Sequence, residues 1–351
     1  MSRRRRKIGI CLAAFWLLTW SFLTLSGSEN DSFQFKIPLG LDEFSPEIPR
    51  GNPITREKIE LGRILFFDKR LSVDGSIACA SCHDPKLAFT DGKAVPEGIR
   101  GQKGGRNTPT IINRLFSSTQ FWDGRVTGLE DQAKAPFVSP HEMGNPSGDD
   151  LIRRLKPVKG YRELFKRAFG TEDFTIDQVA KAIASFERIV LSGNSPFDQF
   201  ESGGKEKALA ESARRGLTLF RGKARCHLCH TGFNLTDELF HNLGVGWEAS
   251  GNFRDLGRYS VTKREEDQGK FKTPTLREIT KTAPYMHDGS LPTLEDVIDF
   301  YDKGGNKNPN LDLEMRPLNL TTQEKKNLIE FLKALNGEGW QSITPPAKFP
   351  E

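Results

Sequence analysis

Apolar positions follow two different patterns along this chain. From Ile8 to Leu25 they form a nearly unbroken run, preceded by Arg3 to Arg6 and Lys7 and followed by small polar residues. A basic start, an apolar stretch and a small-residue exit make an export signal. The run, about 18 residues with no A-x-A site after it, also has the length of an uncleaved anchor. Residues 1–28 are therefore expected to be a signal peptide or signal anchor. The positive cluster would hold the N-terminus inside and send the rest of the chain out to the periplasm. Residues 29–48 read as an extended segment.

Beyond that point apolar residues recur at three- and four-residue spacing, the period of half-buried helices. Such helices are predicted in LGRILFFDKRLS (61–72), VAKAIASFERIVL (179–191), SARRGLTLF (212–220) and TTQEKKNLIEFLKAL (321–335). The last opens with a Thr cap and a Glu three residues on, and ends at Asn336-Gly337. Strand signals are few, and Gly and Pro punctuate the stretches between helices. The fold class predicted is mainly α.

Composition changes this picture little. At 351 residues and 36% hydrophobic content the chain is globular and long enough for two domains. The net charge of +5 belongs to the N-terminal cluster. Its five positive charges taken from the 51 Lys and Arg leave 46, against 46 Asp and Glu, and no acid precedes Glu29. A near-neutral exported part gives nucleic-acid binding no support.

The cysteines change it more. Of five, Cys11 lies in the export segment, and the others form two C-x-x-C pairs, Cys79/Cys82 and Cys226/Cys229. Export would permit disulfides, and two Cys with His nearby permit zinc. Yet each pair is followed directly by histidine, in CASCH (79–83) and CHLCH (226–230). C-x-x-C-H is the attachment signature of c-type haem: two thiols add to the vinyl groups, and the next His, here His83 or His230, becomes the proximal iron ligand. His227, inside the second motif, and His241 read as surface residues.

The chain also repeats itself. RNTPTIINRLFSSTQFWDGRVTGLEDQAKAP (106–136) aligns without a gap with FKTPTLREITKTAPYMHDGSLPTLEDVIDFY (271–301). T-P-T, D-G and L-E-D fall in register. Two cytochrome c-like domains are expected, residues 49–193 and 194–351, each carrying one covalent haem. The alignment sets Trp122 against His287, Gln132 against Val297 and Pro136 against Tyr301. A phenolate oxygen can ligate iron, whereas proline has no side-chain donor. If equivalent positions lie over equivalent irons, Tyr301 caps the second haem and Pro136 leaves the first open. The alternative for Tyr301 is a buried core aromatic.

These residues resemble the bacterial dihaem cytochrome c peroxidase and MauG family over nearly all of the exported part. The motifs are the two C-x-x-C-H, FWDGR (121–125), Gln132 and Glu142 ten and twenty residues after Trp122, and PYMHDG (284–289). The resemblance implies that Trp122 lies between the haems and assists electron transfer. It puts Gln132 and Glu142 on the distal side of the open haem, with Glu142 moving a proton between peroxide oxygens. It assigns the second haem's sixth ligand to Tyr301 where the peroxidases have Met, as MauG does. Met286 is then packing and His287 a propionate contact. A calcium ion between the domains would take Asn107 and the carbonyls of Thr282 and Pro284.

The function so implied is a peroxide-dependent dihaem oxidoreductase. Its partners would be hydrogen peroxide and a small electron donor, a c-type cytochrome or cupredoxin. The alternative is oxidation of side chains on a partner protein, which Tyr301 favours. Ala224 replaces the tryptophan that MauG uses as an exit point, leaving Trp247 as another candidate. A non-catalytic dihaem electron carrier would need the first iron capped too, by Met143 or His141.

Overall fold

Thr55 opens the first helix by accepting a hydrogen bond from the Lys58 amide. The computed structural model describes residues 33 and 36–351, so the expected export segment lies outside the described residues. In the first half the helices are α1 (Arg56–Phe67), α2 (Cys79–Cys82), α3 (Leu129–Val138), α4 (Gly148–Leu155), α5 (Lys159–Phe169) and α6 (Ile176–Glu187). The second half contributes α7 (Pro196–Glu201), α8 (Glu211–Arg221), α9 (Tyr259–Thr262), α10 (Leu294–Asp302) and α11 (Thr322–Lys333). Reciprocal caps start α6 at Thr175, α10 at Thr293 and α11 at Thr321, each satisfying amides that a helix N-terminus leaves bare. Two short antiparallel ribbons complete the described structure: β1 (Thr119–Gln120) with β2 (Val126–Thr127), and β3 (Phe240–Asn242) with β4 (Lys270–Lys272). The mainly helical prediction holds. Helices α2, α3, α4, α5, α7, α9 and α10 lie outside the four segments predicted helical.

The repeat is visible in the packing. Helix α1 lies along α6, and α8 lies along α11. Each crossing is made close by a glycine. A Cβ on Gly62 would stand 2.0 Å from the Ala182 carbonyl, and one on Gly216 would stand 2.0 Å from the Asn327 carbonyl. Asn113 and Glu278, aligned in the repeat, both take the left-handed backbone with φ of 60° and lead into short 3-10 turns.

Two apolar cores result. The first gathers Phe66, Phe89, Phe137, Phe165, Phe174 and Phe186, with Phe165 and Phe174 stacked at 3.8 Å. The second is built from Leu217, Phe220, Ile298, Phe331 and Leu335. The segment after α11 crosses back: Trp340 joins the first core 6.3 Å from Phe89, and the Gly160 amide donates to the Glu351 carbonyl at 2.7 Å. Residues 36–54, the described part of the expected extended segment and its approach to α1, form turns without helix or strand. Arg277, fully buried, anchors this segment: it donates to both Asp198 oxygens (2.8 and 2.9 Å), to the Phe233 carbonyl and to the Gly40 carbonyl.

Candidate active site

Each C-x-x-C-H opens onto a cavity. The first, about 490 Å³, is lined by Cys79, Cys82 and His83 from the α2 region and by Gln132, Pro136 and Glu142 from α3 and the turn after it. The second, about 250 Å³, is lined by Cys226, Cys229 and His230, by Thr282, Pro284, Met286 and His287, and by Tyr301 of α10. Trp122 and Asn107 line both. Every residue singled out in the sequence for haem, calcium, proton or electron transfer between the haems therefore lines one of these two spaces; Trp247, the candidate exit point, lines neither.

The two histidines are held alike. His83 Nδ1 lies 3.1 Å from the Phe89 carbonyl, and His230 Nδ1 lies 3.1 Å from the Leu235 carbonyl. A carbonyl only accepts, so Nδ1 carries the proton and Nε2 keeps its lone pair. Burial pushes both imidazoles toward the neutral form, which is the form that ligates metal. The four cysteines are free thiols, and burial pushes Cys82 up to about 11 and Cys226 up to about 12. Two thiols, one neutral imidazole with a free Nε2 and a roomy cavity are the donor set that a covalently attached haem requires.

Zinc fits less well. Among the described residues one cluster of three metal-ligating side chains occurs, Cys229 with Asp237 and His241, and it includes neither Cys226 nor His230. His241 is not the surface residue expected. It is half-buried with Nδ1 2.6 Å from Asp312 and Nε2 2.9 Å from Asp237, and these carboxylates push it up to about 12. His227 is also half-buried, its Nδ1 sealed without a partner.

The asymmetry between the cavities sits on α3 and α10. Tyr301 and Pro136 occupy matching places, and each lines its own cavity. The buried tyrosines elsewhere are satisfied: the Tyr161 hydroxyl donates to Asp68 at 2.5 Å and that of Tyr285 to the Ile279 carbonyl at 2.9 Å. The Tyr301 hydroxyl has no hydrogen-bond partner among the described residues and is not sealed, so it opens on the second cavity. A core aromatic would have found a partner. Burial pushes its phenol well above the usual range.

In the first cavity burial raises the Glu142 carboxyl, against opposing pulls from Arg125 and His141. Met143 is buried in the first core, and His141 is exposed. Trp122 is held from both sides: its Nε1 donates to the Asn107 carbonyl at 2.8 Å, and its own carbonyl accepts from the Lys272 amide at 2.8 Å. His287 is buried and stacked on Phe271 at 3.5 Å, and burial pushes it down to about 4. The Asn107 side-chain amide donates to the Lys93 carbonyl at 2.9 Å.

Three residues that line these cavities went unread in the sequence: Glu187, Arg114 and Lys272. Glu187 carried a signal, since it continues the Val179–Ile183 stripe of an apolar helix face.

Comparison with known proteins bears on this arrangement. A family model for the di-haem cytochrome c peroxidases matches residues 56–207. The methylamine utilization protein MauG of Methylorubrum extorquens is 40% identical over 333 residues, which span 94% of this chain and 93% of that protein. This chain belongs to the dihaem cytochrome c peroxidase and MauG family. The cytochrome-c peroxidase IdrP1 of Denitromonas iodatirespirans is likewise 40% identical, over 82% of this chain and 84% of its own. A crystal structure of a MauG-like protein associated with microbial copper homeostasis superposes with a TM-score of 0.83 at 34% identity, over 90% of this chain and 100% of that one. Membership makes the protein a haem-bearing oxidoreductase of the dihaem peroxidase type and sets the electron-carrier reading aside.

Proposed function

We propose that this protein is an exported, periplasmic oxidoreductase that reduces hydrogen peroxide in its first cavity and shares the oxidising equivalents with its second. The observation that carries this is the difference between matching positions: Pro136, without a donor, against Tyr301, whose hydroxyl is unpartnered and faces the second cavity. Cys79, Cys82 and His83 would hold one haem, in the domain of residues 49–193. Cys226, Cys229, His230 and Tyr301 would hold the other, in residues 194–351. The haems supply peroxide reduction and one-electron storage. Glu142, kept protonated more readily by burial, holds and moves a proton between the peroxide oxygens. Gln132 offers an amide to orient peroxide or water. Trp122, the oxidisable side chain in the wall common to both cavities, provides the crossing. His287, lining the second cavity, would contact the haem held there. Asn107 with the Thr282 and Pro284 carbonyls would hold calcium, a hard cation suited to oxygen donors.

A reduced c-type cytochrome or cupredoxin is the natural electron source for peroxide removal. The second reading, oxidation of side chains on a partner protein, is favoured by Tyr301, because a hard anionic oxygen disfavours the ferrous iron needed to collect electrons. Ala224 is buried and offers no exit point; Trp247, half-buried against Phe253 at 4.8 Å, is the candidate left.

Ferric EPR of the purified holoprotein tests the asymmetry. One high-spin and one low-spin signal are expected. Two low-spin signals would sink the open-site assignment.

A further inference from the structure

The wall between the cavities carries a guanidinium that no carboxylate of the described residues pairs. Arg114 and Lys272 both line the two cavities. Arg114 is gripped by neutral oxygens: Nε and Nη2 donate to Gln120 Oε1 at 3.0 and 2.6 Å, and Nη2 to the Thr119 carbonyl at 2.9 Å. No carboxylate lies within ion-pair distance of it among the described residues. Its Nη1 has no partner among the described residues, yet it is not sealed off, so that side of the guanidinium looks into the cavities. Lys272, 5% exposed, pairs with Glu238 at 2.9 Å and with the Thr119 carbonyl at 2.6 Å.

Glu187 is the other acid near Arg114, but its carboxyl has no hydrogen-bond partner among the described residues, and burial pushes it up to about 8, so at neutral pH it is mostly uncharged. Burial and the nearby Arg114 also push Lys272 down to about 7, with Glu238 pulling the other way, so the cation left without an anion of its own is Arg114. A buried charge without a partner is strongly unfavourable, and a guanidinium held in plane by two neutral acceptors is preset for a carboxylate.

We propose that Arg114 and Lys272 form a carboxylate clamp shared by both cavities, which receives propionate groups of the bound haems. This rests on the two-haem reading above. The clamp gives the haems a common electrostatic partner. Each cation favours the reduced iron, so loss of Arg114 lowers both midpoint potentials together. It also leaves a propionate unpaired, which raises that group's pKa and makes the potentials depend on pH where the native protein's do not.

The test uses holoprotein of wild type, Arg114→Leu, Arg114→Lys and Lys272→Met. Covalent haem per chain is counted first, and both midpoint potentials are then measured by spectroelectrochemistry from mildly acidic to mildly alkaline pH. The expected result is a fall of both potentials in Arg114→Leu, a new pH dependence, and recovery of most of the shift in Arg114→Lys. If Arg114→Leu carries the wild-type haem content with both potentials unchanged at every pH, the clamp is wrong. Should Arg114→Leu fail to fold, Lys272→Met carries the test, with unchanged potentials again overturning it. Fewer than two covalent haems on the wild-type chain would bring down the two-haem reading instead, a separate outcome.

Discussion

Glu187→Gln is expected to stabilise the protein, and to do so only above acidic pH. The Glu187 side chain is 4% exposed, with one oxygen sealed and unpartnered. The neighbouring cation, Arg188, is committed elsewhere, to both Glu130 oxygens at 2.7 and 2.9 Å. Burial therefore dominates and pushes the carboxyl from its ordinary 4.5 up to about 8. Below pH 4.5 the folded and unfolded chains both hold the proton, and the group costs nothing. As pH rises past that value the unfolded chain releases its proton and the folded chain does not, so stability falls. Each pH unit of this window costs about 1.4 kcal/mol, with a ceiling of roughly 5 kcal/mol reached once the folded carboxyl also ionises. Water entering the cavity lowers that ceiling, and about 2–4 kcal/mol at neutral pH is the working expectation. Glutamine keeps the shape and cannot ionise. Denaturant unfolding of wild type and variant, followed by far-UV circular dichroism at acidic, neutral and alkaline pH, reads the difference directly. The two curves should coincide in acid and separate as pH rises. A gap that stays constant with pH would mean that Glu187 is ionised in the folded protein, and would also remove the charge argument for Arg114.

Glu142→Gln should slow the reaction with peroxide by about 10²- to 10⁴-fold, the usual range for a lost general acid–base, while leaving the resting haem spectrum in place; stopped-flow absorbance measures both, and an unchanged rate assigns the proton to another group. Tyr301→Met should raise the midpoint potential of the second haem, because thioether sulfur favours ferrous iron and phenolate oxygen does not; an unmoved potential removes Tyr301 as a ligand. Gly216→Ala places a methyl 2.0 Å from the Asn327 carbonyl and 2.7 Å from Phe331 Cβ, so α8 and α11 must part. A loss of about 1–3 kcal/mol is expected in urea unfolding. Gly51→Ala, with nothing within 4 Å, should stay within about 0.5 kcal/mol of wild type.

The repeat made much of this protein legible before any coordinates. Helical spacing located α1, α6, α8 and α11, and the cap residues fixed where α11 begins. What spacing could not convey was long-range contact. Trp340 reads as a lone aromatic in a polar tail, and only the return of that tail onto Phe89 gives it a core to join. His241 read as a surface residue because its two carboxylate partners are one turn and some seventy residues away; Asp312 is brought to it by the fold. Charge inside the molecule was the harder matter, yet it left a trace. The same alignment that sets Pro136 against Tyr301 sets Arg114 against Ile279 and Asn107 against Lys272. Where the halves must do the same thing, as at Gly62 and Gly216, the repeat keeps the residue. Among the residues that line the cavities it keeps Thr108-Pro109-Thr110 as Thr273-Pro274-Thr275 but changes others. A half-buried Arg aligned with Ile needs a reason beyond packing, since an apolar side chain of similar volume would be cheaper in an enclosed wall. Its retention points to an anion on the other side. The two unlike pairs, Pro136 with Tyr301 and Arg114 with Ile279, then express one division of labour: one half is left open for chemistry, the other is closed, and the wall between them is charged to hold what they share.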